Sequence, residues 1–137
     1  MSINKKPSFD EWLAEAKAQP DAGKVGMYLC HNGVVRESAK AEVREGCCDA
    51  PSVRGMRFSY DAKRVDAVVA EALTLAGIYV VRVWLNEGEL KVGDDLMCVL
   101  IGGDIRPHVV SALEHVVRRL KNECVQEEEL YQLLCGT

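Results

Sequence analysis

No apolar run in this chain approaches the roughly 20 residues that a membrane span needs. The start, MSINKKPSFDEW, has no apolar stretch long enough for a secretory signal. A soluble, cytoplasmic protein with no membrane partner is therefore expected. A basic excess is also missing. Seventeen Lys and Arg against 21 Asp and Glu leave a formal net charge of −4. Nucleic-acid binders show a basic excess or stripe, so no nucleic-acid partner is expected. No C-x-x-C pair occurs among Cys30, Cys47, Cys48, Cys98, Cys124 and Cys135, and without a secretory signal the thiols are read as reduced. A zinc site from Cys30, His31, Cys47 and Cys48 fits no standard spacing. The plainer reading makes Cys30 and Cys98 small core residues and puts the others in loops or at the surface.

Phosphate-loop patterns are lacking too. Gly102-Gly103-Asp104 has neither the G-x-x-x-x-G-K nor the G-x-G-x-x-G form. It reads as a tight strand-to-helix turn, with Asp104 near a helix N-terminus, where a carboxylate is favourable. There is no G-x-S-x-G, and His31, His108 and His115 do not make a metal pattern, since His108 and His115 lie two helical turns apart. Cys30 beside His31 is a poor activated thiol, because neighbours on a strand point to opposite faces.

What is present is an ordinary globular pattern in 137 residues, enough for a single domain with a sizeable core. Ser8 and Glu11 form a capping box ahead of a helix with Phe9, Trp12, Leu13 and Ala16 on one face, ended by Pro20 to Gly23. Lys24 to Cys30 reads as a strand. Residues 31–53 read as one long loop, a length that is usually functional or disordered. Arg54 to Tyr60 is a strand. Asp61 caps a helix reaching about Ala76, with Gly77 as its stop. Ile78 to Trp84 is rich in β-branched and aromatic residues, as buried strands are. Residues 86–95 hold turn chemistry, and Leu96 to Ile101 is the next strand. A last long helix carries Val109, Val110, Leu113, Val116, Val117 and Leu120 as its apolar stripe. Val125 to Leu134 is expected to add a helical turn or two. Helices and strands do not strictly alternate, so the expected class is α+β with a mixed sheet and packed helices.

The candidate chemistry lies in cations: Arg36 in HNGVVRES, Arg106 at the start of the last helix and Lys121 near its end. An Arg offers a planar fork for phosphate; a Lys offers a compact charge suited to proton transfer. Isolated charges are mostly solvent-facing, so surface cations are the plain alternative. Positions 106 and 121 on one straight helix are roughly 22 Å apart at 1.5 Å per residue. If both serve one site, that site lies between subunits, with Arg106 coming from the neighbour.

Three segments carry a family resemblance: HNGVVRES, LNEGELKVGDDLMCVLI and DIRPHVVSALEHVVRRLK. Together they resemble the large, catalytic subunit of molybdopterin synthase, from the first helix to Lys121. The resemblance implies an α/β-hammerhead type of α+β fold, a central homodimer, and a small ubiquitin-like sulfur-carrier subunit at each end of a heterotetramer. It implies that sulfur moves from the carrier's C-terminal Gly-Gly thiocarboxylate to cyclic pyranopterin monophosphate, making molybdopterin, with no metal or other cofactor. By position, Lys121 matches the catalytic helix lysine. Arg36 matches the arginine after the first strand, and Arg106 the arginine supplied by the neighbouring subunit. An aromatic residue of the family falls at His31, read here as substrate-binding.

The chain departs from that pattern elsewhere. The family's histidine before the arginine is Ile105, its second lysine falls at Glu128, and its W-K-x-E segment is replaced by VQEEELY. A carboxylate in place of a cation should disfavour an anionic substrate. Three readings follow. One is a sulfur-transferring synthase subunit. Another is a non-catalytic homodimeric relative that binds a sulfur carrier or another anionic partner. The last is an unrelated anion-binding or structural domain.

Overall fold

The computed structural model describes residues 5–37 and 53–131. The described elements are two three-stranded sheets and three α-helices. Strands are β1 (Met27–Val34), β2 (Val53–Tyr60), β3 (Ile78–Leu85), β4 (Gly88–Lys91), β5 (Asp95–Gly103) and β6 (Val125–Tyr131). Helices are α1 (Phe9–Lys17), α2 (Ala62–Ala72) and α3 (Arg106–Arg119). One sheet has the order β1-β5-β3 and the other β4-β2-β6. The α+β class holds, and where a mixed sheet was expected, every described pairing is antiparallel.

The helix starts follow from their caps. The Ser8 hydroxyl accepts from the Glu11 N–H at 3.3 Å, and the Asp61 carboxylate accepts from Lys63 and Arg64 N–H at 3.0 and 3.3 Å. The second helix stops at Ala72, short of the expected Ala76, because the chain from Leu73 turns to bring Gly77 round at φ 78°. That left-handed backbone favours glycine.

Strand β5 is the spine. Met97 to Gly103 is buried without a break, as a central strand covered on both faces must be. Gly102 and Gly103 therefore end a strand and do not form the expected tight turn. They are small because other groups approach closely. A Cβ on Gly103 would lie 2.6 Å from the Gly77 carbonyl oxygen, and one on Gly102 would lie 2.8 Å from the Tyr28 ring. The turn itself is Asp104–Ile105, where the Asp104 carboxylate accepts from the Ile105 N–H at 2.6 Å.

The core fills the space between the sheets, α2 and α3. Phe58, Val68, Met97, Val99, Ile101, Val109, Val116 and Leu120 are its buried members. Each such side chain contributes about 1.5–3 kcal/mol by leaving water. On the outer side of the β1-β5-β3 sheet, α1 buries Ala16, and Glu15 accepts from Arg82 of β3.

Three further expectations are corrected. β1 begins at Met27 and continues through His31, Asn32, Gly33 and Val34, which were read as loop; pairing with β5 carries it on. Residues 38–52, with Cys47 and Cys48, lie outside the described residues, as does Cys135. The expected terminal helix is strand β6, paired along β2 from Tyr60↔Val125 to Val53↔Tyr131. Cys30 is exposed and Cys124 is buried, the reverse of their expected places, while Cys98 is buried as expected.

Candidate functional site

A cleft of about 140 Å³ opens where the two sheets meet the end of α3. It is lined by His31, Gly33 and Val34 of β1, Arg36, Met56 of β2, Leu96 and Met97 of β5, Lys121, and Glu127 and Glu129 of β6. Three of the four sequence-expected residues, His31, Arg36 and Lys121, thus share one cavity.

Each is held by its own local structure. His31 pairs in register with Val99, which fixes the side of the sheet it faces. Arg36 follows Val35, which is buried and anchored twice. The Val35 N–H donates to the Asp94 carbonyl at 2.9 Å, and its carbonyl accepts from the Gly93 N–H at 2.8 Å. Gly93, at φ 91°, makes that turn possible. Lys121 lies on the turn Leu120–Cys124, whose first and last residues are buried.

The electrostatics couple these groups. Burial holds the His31 imidazole below its ordinary range, and the positive charge of Lys121 pushes it further the same way. A neutral imidazole beside a lysine can accept or donate a hydrogen bond without adding charge.

Arg106 is not in the cleft. It opens α3 at the end away from Lys121, with exposed Ile105 before it and the Asp104–His108 pair, 2.7 Å apart, around it. Within one chain, Arg106 opens α3 and Lys121 lies on the turn after its last residue.

The two cleft glutamates were missed in the sequence. The expected carboxylate was Glu128, but Glu128 faces the other way. Its carboxylate accepts from Arg57 at 2.7 Å, and Arg57 also meets Glu89 across the sheet at 3.8 Å. Strand alternation puts Glu127 and Glu129 on the face opposite Glu128. The signal available was the run V-Q-E-E-E-L-Y, which reads as a strand once it is paired with β2.

A second, more open groove of about 440 Å³ runs along α3, lined by His31, Leu113, Glu114, Val117, Arg118, Lys121 and Asn122. His31 and Lys121 therefore stand between two openings. A depression of about 480 Å³ beside the start of α2 contains Asp61, Arg64 and Glu123 and none of the candidate residues. Cys30 lies on the exposed side of β1, and burial still pushes its thiol up, away from nucleophilic activation. Among the described residues no group of three His, Cys, Asp or Glu could hold a metal, and no helix is long and apolar enough to cross a membrane. The weighed zinc set includes Cys47 and Cys48, outside the described residues.

A family model described as MoaE protein matches residues 4–123. The chain belongs to the MoaE protein family. This is the family of the large, catalytic subunit of molybdopterin synthase, so the chain's role lies in molybdenum cofactor biosynthesis and its reaction class is a transfer. The match ends at residue 123, two residues before β6. Among curated proteins none matches the chain significantly.

Solved structures agree on the fold. Molybdopterin synthase from Staphylococcus aureus superposes with a TM-score of 0.70 at 16% identity, covering 93% of this chain and 88% of that one. Molybdopterin cofactor biosynthesis protein E from Burkholderia multivorans ATCC 17616 gives 0.68 at 20% identity, with 96% and 86% covered. A complex of subunits 1 and 2 of molybdopterin-converting factor from Helicobacter pylori 26695 gives 0.61 at 15% identity, with 91% and 84% covered. At such identities the likeness concerns the fold, and the site must be argued from this chain's own residues.

Proposed function

We propose that this MoaE-family chain transfers sulfur from the C-terminal thiocarboxylate of a small carrier protein to cyclic pyranopterin monophosphate. The observation that carries the reading is the meeting of Arg36, His31 and Lys121, from three separate stretches of chain, in one cleft. Arg36 offers a fork for phosphate or carboxylate, and Lys121 is placed to move protons during sulfur addition. His31 supplies a hydrogen bond at the junction of cleft and groove. Two openings on either side of Lys121 suit two reactants that must meet, a peptide tail and a small anion.

The cleft alone is smaller than the few hundred Å³ that a pterin-sized ligand usually occupies. Completion by a second copy supports the homodimer, with that copy bringing its Arg106. A carrier partner is supported by the Helicobacter pylori neighbour, itself a complex of two subunits. No step in this reading calls for a cofactor.

Glu127 and Glu129 favour a second reading. Two carboxylates face the cavity where an anion would enter, so the chain could dock a carrier without turnover. Anaerobic single-turnover conversion of cyclic pyranopterin monophosphate by this protein plus a thiocarboxylated carrier separates the two. Dithiolene product that disappears in Lys121→Ala supports sulfur transfer. A stable carrier complex with no product supports docking alone.

A further inference from the structure

Lys121 lies on the one described segment between α3 and β6 that is neither α-helix nor strand, the i→i+5 turn Leu120–Cys124. Such turns are rare, are held by their surroundings, and occur often at functional sites. The side chain of lysine is a flexible four-carbon stem, so what a fold can fix is its backbone.

The turn is tied down on both sides of Lys121. Before it, Arg119 spreads its guanidinium over both oxygens of Glu123, at 2.6 and 2.9 Å, bridging the turn from end to end. The third arm of Arg119 donates to Glu71 on α2, whose other oxygen meets His115 at 2.9 Å. After Lys121, Arg64 donates to the Glu123 carbonyl at 3.0 Å, and the Asp61 N–H donates to the Cys124 carbonyl at 2.9 Å. Beneath the turn, Leu120 and Cys124 are buried. Arg119, Glu123, Glu71 and Arg64 are absent from the lining of the cleft and of the groove. Two ordinary i,i+4 partners would stabilise a helix end alone. A fork that spans the turn and also reaches a second helix fixes where the turn stands.

We infer that Arg119 is a positioning residue for Lys121, gripping Glu123 and Glu71 so that the turn presents the lysine to the cleft. The inference rests on reading Lys121 as the acid–base group. The hydrogen bonds from Arg119 and His115 hold the Glu71 carboxyl below its ordinary range, which keeps the grip ionised near neutrality.

The test uses the full chain with its lysines ¹³C-dimethylated for NMR, and untreated chain for steady-state turnover with thiocarboxylated carrier in excess. Arg119→Ala should move the Lys121 methyl resonance toward that of exposed Lys24, with the fold intact by amide spectra. Arg119→Lys should do the same, because an ammonium cannot grip both oxygens. Glu123→Gln is the second variant if Arg119→Ala does not fold. In turnover, kcat should fall about tenfold while KM stays within about twofold, the mark of a lost transition-state contact. A wild-type Lys121 resonance in folded Arg119→Ala overturns the inference, as does a change confined to KM. A chain that never turns over defeats the sulfur-transfer reading, and the resonance still decides the positioning.

Discussion

At its start, α3 is capped by exposed Ile105, with Arg106 and the Asp104–His108 pair at the surface. At its finish, the same helix passes into a turn with Leu120 and Cys124 in the core and Arg119 gripping two glutamates. One end is tied into the core within the chain; the other sets the Arg106 cation at the surface, outside the cleft. The difference suits a site that takes its lysine from one subunit and its arginine from the next.

The strongest way to break this comparison is Lys121→Ala. It should cut single-turnover sulfur transfer by about 10²–10⁴-fold, the usual range for a lost acid–base group. An equal rate in the variant would remove the finished end from the chemistry. Leu120→Ala tests the same end for stability. It should cost about 2–5 kcal/mol in urea unfolding, since a fully buried leucine leaves a cavity.

At the opening end, Gly77→Ala should cost about 1–2 kcal/mol, the penalty for left-handed backbone in an L-residue. Its Cβ would also press on the Asp104 carboxylate and the His108 ring. Acid should weaken both ends together. Hydrogen bonds from Arg119 hold Glu71 low, and those from His108 hold Asp104 low. The unfolded chain therefore takes up protons first, and stability present above the ordinary carboxyl range falls as pH drops below about 4. Midpoints in urea that stay flat from neutrality to acid would contradict those pairings.

The smallest effect expected is the sharpest. Arg106→Ala should change the stability of the chain by less than about 0.5 kcal/mol, as surface substitutions do. It should nevertheless lower turnover, and mixing it with Lys121→Ala chains should restore part of the activity. One cleft of each mixed dimer would then hold both groups. Failure to complement would place the two ends in separate roles.

Much of this was legible in sequence. Ser8 and Asp61 marked helix starts because a cap is a local hydrogen bond. The apolar runs of β3 and β5 announced strands. β6 was misread because a row of glutamates has no apolar alternation, and only pairing with β2 makes it a strand. His31 to Val34 was misread for the same reason, since Asn-Gly looks like a turn until β5 lies beside it. The joining of Arg36 to Lys121 followed from family resemblance; nothing in their spacing announces it.

The i→i+5 turn has a consequence for the strand that leaves it. It accommodates one residue more than a helical turn does, so the strand that follows leaves with its phase advanced. Glu128, read in the sequence as the place of the family's second lysine, points outward to Arg57. The cavity counts sides, and the sides it receives are those of Glu127 and Glu129. Past Cys124 in this chain, what a residue can serve is decided by the way its side chain looks and not by its place in line.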